Sequence, residues 1–326
     1  KMNILITGGA GYIGSHLVEE LSKKNKIIVI DNLSTGFKKL IFKKIKFYKL
    51  DIRNTNKLKN IIYKEKIDTI IHLAAKLSLQ EAQRKLKQYK SVNIDGTKSV
   101  LDAIKVSNVK RLIFSSTAAV YSGNKNVSCS EKLKPKPTNV YGQTKFIAEN
   151  LIRSFSKQNR LKSVILRYFN VVGASKSGKI GPIKDYNQLF KILSKITLKK
   201  KSIISVYGKN HKTKDGSCVR DFIDINDIVD IHTLILKKFQ KLKNIEILNC
   251  GYGHGISVLK VIKTFSQISK KNIKIKFVKK RSKEISNIFA QNNKIKKILK
   301  WQAKYQDLNL IINRCLKWEK KITYGK

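Results

Sequence analysis

Acidic residues are scarce in this chain of 326 residues: 21 Asp and Glu stand against 70 Lys and Arg, a formal net charge of +49. A basic excess of this size is typical of proteins that bind nucleic acid. The lysines, however, run along the whole chain and lack the interleaved aromatic residues on which bases stack. Lys, Ile and Asn are also the residues that A/T-rich codons encode. We therefore expect solvated basic faces and no specific nucleic-acid partner, with a non-specific affinity for polyanions as the alternative.

Cysteine is also scarce, and long apolar runs are missing. The four cysteines are far apart, with no Cys-x-x-Cys pair, and none of the five histidines stands at metal-ligand spacing. This distribution predicts free thiols and no metal site. No apolar run approaches the roughly 20 residues that span a bilayer, and a strand-like segment at 4–6 follows the first residues directly. We expect a cytoplasmic protein with no membrane contact and no cleaved leader.

The chain is rich in short apolar runs with β-branched residues. With 41% hydrophobic residues, it can bury the core of one large or two ordinary domains. In the first half, helical patterns separate strand-like runs at 4–7, 27–30, 47–50, 69–73, 112–115 and 164–166. The later pattern is less regular, with a helix predicted at 187–197 and a strand at 203–207.

This alternation predicts an α/β fold: a Rossmann-type doubly wound parallel sheet with a smaller mixed α/β domain. We place the first domain at 1–172 and the second at 173–326, with the chain able to cross back between them. Such sheets bind ligands at the carboxyl ends of their strands. Most of the polar candidates described below follow directly on predicted strands.

Gly8, Gly11 and Gly14 follow the first predicted strand and open a helix, in the order that a dinucleotide-binding fold requires. Without side chains they allow a tight turn, bring backbone N–H groups close to a pyrophosphate, and let the helix approach the sheet. Their Gly-x-x-Gly-x-x-Gly spacing is that of the short-chain dehydrogenase type. The alternative is an ordinary strand-to-helix turn.

Asp31 ends the second run 17 residues after Gly14, where a carboxylate can accept hydrogen bonds from ribose hydroxyls. Because its charge would repel a 2′-phosphate, we predict NAD rather than NADP as the cofactor. Asp51 and Ile52, after the third run, are candidates to flank the adenine, with a helix cap as the alternative for Asp51. Small groups follow the fourth run, where backbone must meet the cofactor: Leu73, Ala74 and Ala75.

Tyr141 and Lys145 are four residues apart and would share one face of a helix. A lysine charge near the phenol would favour its ionised form, which is otherwise rare at neutral pH. Thr117 closes the segment Phe114-Ser-Ser-Thr after the fifth run and supplies a hydroxyl. The three groups are those needed to remove a proton from a sugar hydroxyl while hydride leaves to nicotinamide. The alternative is that 115–117 form a plain turn.

Over nearly its full length, the chain resembles the extended short-chain dehydrogenase/reductase family, which includes NAD-dependent sugar-nucleotide epimerases and dehydratases. The resemblance rests on segments 8–16, 31–34, 72–75, 92–93, 114–121, 141–145, 166–170, 215–216 and 219–222. It implies that Tyr141 is the acid/base and that Lys145 supports both Tyr141 and the nicotinamide ribose. It also implies that Thr117 orients the sugar hydroxyl.

The resemblance implies further contacts on both ligands. It adds five residues to the cofactor site: Tyr12, Ile13, Asn32, Asn93 and Phe169. For a UDP-sugar it implies the set Asn170, Gln188, Tyr207, Arg220, Arg281 and Glu284. Asn170 and Arg220 would contact the diphosphate, Tyr207 would lie near the uracil, and Arg281 would bind a phosphate through its planar fork. The alternative for Arg220 is an ion pair with Asp221 or Asp224.

One local feature separates the activities within this family. Dehydratases place an Asp-Glu pair directly after the threonine, whereas Ala118 and Ala119 follow Thr117 here. The resemblance therefore implies NAD-dependent 4-epimerisation of UDP-glucose and UDP-galactose through a transient 4-keto sugar. It also implies a homodimer formed through a pair of helices.

Two alternatives to this activity remain open. Ile288 stands where a bulky tyrosine often limits the space around the sugar C2 substituent, so UDP-N-acetylhexosamines are alternative substrates. The second alternative is a non-catalytic polyanion-binding protein that retains the NAD fold.

Overall fold

The structure is a computed structural model that describes residues 1–124, 127–184, 188–199, 202–281 and 284–325. The chain forms two compact units, and each unit is drawn from three stretches of sequence. The first unit comprises Lys1–Tyr121, Pro135–Tyr168 and Ile231–Leu248. The second comprises Ser122–Lys134, Phe169–Asp230 and Asn249–Lys326. The two units are therefore interleaved along the sequence.

Strands and helices alternate through most of the chain. The strands are β1 Asn3–Thr7, β2 Lys26–Asp31, β3 Lys46–Lys49, β4 Thr69–His72, β5 Arg111–Thr117, β6 Val127–Cys129, β7 Lys162–Tyr168, β8 Asn170–Val172, β9 Ile203–Tyr207, β10 Val219–Arg220, β11 Phe222–Asp224, β12 Ile245–Cys250, β13 Ile256–Ser257, β14 Lys274–Val278 and β15 Asn287–Ala290. The α-helices are α1 Tyr12–Leu21, α2 Thr55–Lys64, α3 Leu79–Arg84, α4 Leu86–Lys90, α5 Gly96–Lys105, α6 Val140–Asn159, α7 Leu189–Thr197, α8 Ile225–Lys238, α9 Val258–Ser269, α10 Asn293–Leu299 and α11 Leu308–Tyr324. Short 3₁₀ helices lie at Lys38–Leu40, Ala118–Tyr121 and Phe239–Lys241, and a π-helical segment at Ser91–Asp95 precedes α5.

The central sheet has the strand order β12-β7-β5-β4-β1-β2-β3. The pairings from β7 across to β3 are parallel. Leu5 in β1 pairs with Ile28 on one side and Ile70 on the other, and all three side chains are fully buried. Strands buried on both faces read as continuous apolar runs, which is why the sequence pattern predicted a parallel sheet. The predicted fold class and the six predicted strands of the first half are confirmed.

The second unit is built on smaller sheets. A mixed sheet has the order β13-β10-β15-β6, and parallel pairs join β8 to β11 and β9 to β14. Its core packs α7, α9 and α11 together through buried residues that include Phe190, Phe265 and Ile312. The strand predicted at 203–207 is confirmed. The helix predicted at 187–197 begins at Leu189, and Asn187 lies outside the described residues.

None of the helices in the described ranges combines the length and the apolar character that crossing a membrane requires. The four cysteines are free, as predicted, and the structure shows that all four are buried: Cys129, Cys218, Cys250 and Cys315.

Candidate active site

The turn between β1 and α1 is packed so closely that glycine is required. Gly8 has a φ of +72°, and a Cβ atom there would lie 2.7 Å from the backbone nitrogen of Ala74. A Cβ on Gly14 would lie 2.4 Å from the carbonyl oxygen of Gly8. Gly11 precedes the first turn of α1, which has no side-chain cap and no acidic residue. The uncapped N-terminus of a helix carries partial positive charge and favours an anion such as a pyrophosphate.

Asp31, at the end of β2, holds this turn through its carboxylate. Its Oδ2 accepts a hydrogen bond from the Ala10 N–H at 3.0 Å, and its Oδ1 accepts one from the Leu33 N–H at 2.8 Å. Burial raises the pKa of the Asp31 carboxyl, and these two backbone donors partly offset that effect. Because a carboxylate offers about four acceptor positions, Asp31 retains positions for ribose hydroxyls. Two other cofactor candidates, Tyr12 and Ile13, are partly exposed at the start of α1.

Asn32 and Asp51 link the ends of β2 and β3. The Asn32 amide donates to Asp51 Oδ2 at 3.1 Å, and the Arg53 guanidinium lies 2.8 Å from the same oxygen. The hydrogen bonds from Arg53 lower the pKa of Asp51 to about 2. The helix cap that was the alternative role of Asp51 belongs instead to Asn54, whose side chain accepts from the N–H of Lys57. Ile52, the neighbouring candidate, is buried.

A buried chain of hydrogen bonds runs behind the end of β4. Thr97 Oγ1 donates to the backbone carbonyl of Asn93 at 2.7 Å, so it accepts from His72 Nε2 at 3.2 Å. His72 therefore carries its hydrogen on Nε2, and its Nδ1 accepts from Thr7 Oγ1 at 2.7 Å. Thr7 Oγ1 in turn accepts from the Ala74 N–H at 3.4 Å. Burial, aided by the Lys145 charge, lowers the pKa of His72 to about 3, which agrees with a neutral ring.

Asn93 continues this chain to α6, the helix of Tyr141. Its side chain accepts from the Lys76 N–H at 2.8 Å, and it donates to the Lys76 carbonyl and to Thr144 Oγ1 at 3.1 and 3.0 Å. Thr144 Oγ1 then donates to the backbone carbonyl of Tyr141 at 2.9 Å. Asn93 therefore anchors both the segment after β4, which includes the candidates Leu73 and Ala75, and the start of α6.

Thr117 ends β5, and its side chain hydrogen-bonds to that of Tyr141 in the first turn of α6. Residues 115–117 pair with β7, so they form strand rather than the plain turn considered as the alternative. Burial raises the pKa of Tyr141 to about 12, and the Thr117 hydrogen bond partly offsets that rise. Lys145 is 2% exposed, with its Nζ 4.2 Å from the centre of the Phe114 ring. Burial lowers the pKa of Lys145 to about 7, against the effect of Glu149.

Burial is the main influence on the pKa of the Tyr141 phenol. We expected the Lys145 charge to favour the ionised form of Tyr141, yet desolvation dominates and Tyr141 is protonated at neutral pH. The backbone next to Tyr141 is closely packed, since a Cβ on Gly142 would lie 2.6 Å from the carbonyl oxygen of Ala119. Tyr141 is a proton donor in this state.

The predicted UDP-sugar residues lie in the second unit, where two pairs of them are in contact. The Arg281 guanidinium lies 3.9 Å from the centre of the Tyr207 ring, a cation–π contact. Arg220 Nη2 lies 3.5 Å from Glu284 Oε1. Two further UDP-sugar candidates are not part of these pairs: Asn170 is exposed, and Gln188 is partly buried before α7. Phe169, a cofactor candidate in the same unit, is buried.

The ion pair of Arg220 with Asp221 or Asp224 is not what forms. Asp221 accepts from the backbone N–H groups of Tyr252, Gly253 and Ala290. Asp224 Oδ2 lies 2.6 Å from the Arg314 guanidinium. These aspartates support the backbone around the candidate site.

Sequence spacing missed one cluster of possible metal ligands. His211, Cys218 and Glu284 each bring one ligand atom to within 4.8 Å of the others. His211 and Cys218 are seven residues apart and Glu284 lies far downstream, so the cluster matches no metal-ligand motif in the sequence. The guanidinium of Arg220 lies against the same carboxylate, and its positive charge disfavours a cation there.

Comparison with known proteins agrees with this arrangement. The model of the NAD dependent epimerase/dehydratase family matches residues 4–251. The UDP-glucose 4-epimerase of Lactobacillus helveticus is 35% identical over 328 residues, covering 99% of each chain. The solved UDP-glucose 4-epimerase of Bifidobacterium longum, in complex with NAD⁺ and UDP, is 30% identical with a TM-score of 0.91, covering 100% of each chain. The UDP-Glc/GlcNAc 4-epimerase of Campylobacter jejuni is 34% identical with a TM-score of 0.86, covering 98% of this chain and 100% of the other. The chain therefore belongs to the NAD-dependent epimerase/dehydratase family.

Proposed function

We propose that this chain is an NAD-dependent enzyme that interconverts UDP-glucose and UDP-galactose by 4-epimerisation. The observation that carries the proposal is the contact between Thr117 and Tyr141, with the buried Lys145 one helical turn further along α6. The relatives support it, because the Lactobacillus helveticus protein is a UDP-glucose 4-epimerase and the Bifidobacterium longum enzyme is solved with NAD⁺ and UDP.

NAD fits the carboxyl edge of the central sheet in the first unit. The glycine turn and the uncapped start of α1 suit the pyrophosphate, and the free acceptor positions of Asp31 suit a ribose. The carboxylate of Asp31 disfavours a 2′-phosphate, which supports NAD over NADP. We assign the remaining contacts in this unit to Tyr12, Ile13, Asn32, Asp51, Ile52, Leu73, Ala74, Ala75 and Asn93.

Tyr141 exchanges the proton of the sugar C4 hydroxyl, and Thr117 orients that hydroxyl. The hydride acceptor for C4 would be supplied by NAD, held by the residues assigned above. Because the pKa of Tyr141 is raised to about 12, its ionised form depends on the Thr117 hydrogen bond and on positive charge nearby, which Lys145 supplies. Ala118 and Ala119 carry no acid or base, so no group directly after Thr117 can remove water from a 4-keto sugar. Epimerisation is the outcome that these residues favour.

The UDP part of the substrate suits the second unit. Tyr207 offers an aromatic face to the uracil, and the exposed Arg281 beside it offers a fork to phosphate oxygens. Arg220 is held by Glu284 at 3.5 Å, and Glu284 remains a candidate for the uridine ribose. Asn170 and Gln188 complete the proposed set.

The proposal extends to a cytoplasmic homodimer. Exposed apolar side chains on α3, α4 and α6 support self-association, because water-exposed leucine and isoleucine favour burial against a partner: Leu79 is 48% exposed, Leu86 41% and Ile147 41%. The scattered free cysteines support a reducing compartment.

The test uses purified protein, UDP-galactose and no added cofactor, with the sugar anomeric signals followed by proton NMR. UDP-glucose should appear until a fixed ratio is reached. Tyr141→Phe should slow this conversion by on the order of 10²-fold or more, while Tyr63→Phe, at a side chain 87% exposed, should keep the parent rate.

Three results would contradict the proposal in different ways. Conversion of UDP-N-acetylhexosamines alone would move the assignment to that alternative substrate class. A Tyr141→Phe variant with the parent rate would remove Tyr141 from its role. No conversion of either sugar class after NAD is added would favour a non-catalytic, polyanion-binding chain.

A further inference from the structure

The face of α6 that carries Tyr141 and Lys145 carries a third ionisable residue, Glu149. The three follow one another at intervals of four residues, so they lie along one side of the helix. Glu149 is fully buried. Glu149 was not among the residues predicted from the sequence, although the repeated spacing of four residues is visible there.

Glu149 is bound on both carboxylate oxygens. Arg167 Nε donates to Oε1 at 2.9 Å and Arg167 Nη2 donates to Oε2 at 2.6 Å, a bidentate pair. The Ser116 hydroxyl also donates to Oε1. Arg167 Nη1 donates to the Tyr121 hydroxyl at 2.7 Å. Both charges are thus removed from water, and each guanidinium nitrogen and each carboxylate oxygen has a hydrogen-bond partner.

The pair joins the elements that carry the proposed acid/base group. Arg167 in β7 is the register partner of Ser116 in β5, and Ser116 immediately precedes Thr117. Glu149 reaches both strands from α6, the helix of Tyr141. The contact between Thr117 and Tyr141 therefore depends on a junction that Glu149 and Arg167 close.

We propose that Glu149 and Arg167 are positioning residues for the acid/base site: together they fix α6 against β5, and they place a buried, paired carboxylate one helical turn from Lys145. The inference rests on the proposed function only in calling Tyr141 and Lys145 the acid/base site. The Glu149 carboxylate favours the ammonium form of Lys145, and Arg167 limits this effect by holding the same carboxylate.

The charges around Lys145 support this division of roles. Burial lowers the pKa of Lys145 to about 7 and Glu149 raises it. Among the described residues, His72 in β4, which is neutral, and Tyr141 itself also lie on this side. From α4, Tyr89 faces Tyr141 and is bonded to Glu81, and Tyr121 faces Arg167. Glu149 is therefore the buried anion that acts on Lys145 from its own helix.

The test is a titration of Lys145 by NMR in protein labelled with ¹³C at lysine Cε. An ordinary lysine has a pKa of about 10.4, so the signal that moves near neutral pH belongs to Lys145 and should vanish in Lys145→Met. Glu149→Gln should lower the midpoint by roughly one pH unit or more, because the carboxylate charge is lost while Arg167 remains. Arg167→Met should raise it, because the carboxylate then acts on Lys145 without a competing cation.

Two further variants separate charge from structure. The double variant Glu149→Gln, Arg167→Met removes both charges and should return the midpoint close to that of the parent. Ser116→Ala removes a hydrogen bond but no charge, so it should leave the midpoint in place. The pH at which the rate of UDP-galactose conversion changes should move with the Lys145 midpoint in each variant.

The proposal is overturned if the two single variants move the midpoint in the same direction, or if neither moves it. A Lys145 midpoint that shifts as expected while the pH dependence of conversion stays in place would remove the link to the acid/base site. The titration is read without substrate, so a protein that converts no UDP-galactose still reports whether the charges are coupled. Failure of the proposed function and failure of this inference are therefore separate results.

Discussion

Acid should weaken the folded state through the buried imidazole of His72. The ring is 1% exposed, and its pKa in the folded protein is about 3 against an ordinary value of 6.5. Its Nδ1 accepts from Thr7 and its Nε2 donates to Thr97. A proton on Nδ1 would turn it into a donor facing the Thr7 hydroxyl, which is also a donor. It would also place a positive charge near Lys145. The folded state therefore resists a proton that the unfolded chain accepts.

The sign and size of the effect follow from this difference. Between about pH 6.5 and about pH 3 the unfolded state binds one more proton than the folded state, so the free energy of unfolding falls as the pH is lowered. The loss from this residue is about 2 kcal/mol between about pH 7 and about pH 5. The carboxyls of Asp51 and Glu65, with pKa values lowered to about 2, lose their contribution only below the ordinary carboxyl pKa values of about 4. The window above pH 5 therefore isolates His72 from them.

The assay is urea unfolding at several pH values, followed by far-ultraviolet circular dichroism. Tryptophan fluorescence is unsuitable because Trp301 and Trp318 both lie in the second unit. The parent should lose about 2 kcal/mol over the window, and His72→Gln should lose little, although it starts from a lower stability. His254→Gln, at an exposed side chain, should keep the full loss. A parent with equal stability at both pH values, or a His72→Gln variant that keeps the whole slope, would refute the reasoning.

Two further predictions concern close packing and a buried ion pair. Gly14→Ala should weaken NAD binding, because the new Cβ would lie 2.4 Å from a backbone oxygen. Gly178→Asn, with a φ of +65° and open space, should bind NAD as the parent does, and an equal affinity for NAD in the two variants would contradict this. Lys191 and Glu319 form an ion pair in the second unit, each with 4% of its side chain exposed. Lys191→Met should lower the free energy of unfolding by about 3–5 kcal/mol, because it leaves the buried Glu319 carboxylate without its partner. Adding Glu319→Leu should restore most of this free energy. If the double variant is as unstable as the single one, the loss of stability does not come from an unpaired charge.

The sequence by itself determined the class of fold and the candidate residues of the site. A parallel strand buried on both faces must be apolar along its whole length. Runs such as 27–30 and 69–73 can therefore be predicted as strands without a structure. The turn that contains Gly8, Gly11 and Gly14 can be predicted because no other residue fits where the backbone is packed this closely. The shared helix face of Tyr141 and Lys145 can be predicted because residues four apart lie on the same side of a helix.

Tertiary structure alone decided which distant residues meet and what burial does to their charges. Residues 7, 72 and 97 form one hydrogen-bonded chain only after β1, β4 and α5 pack, and the junction of Glu149 with Arg167 needs α6 seated on β5 and β7. The rise in the pKa of Tyr141 on burial is likewise set by packing. Periodicity and spacing are local properties of the chain, whereas desolvation and the choice of hydrogen-bond partners arise from contacts between segments far apart in sequence.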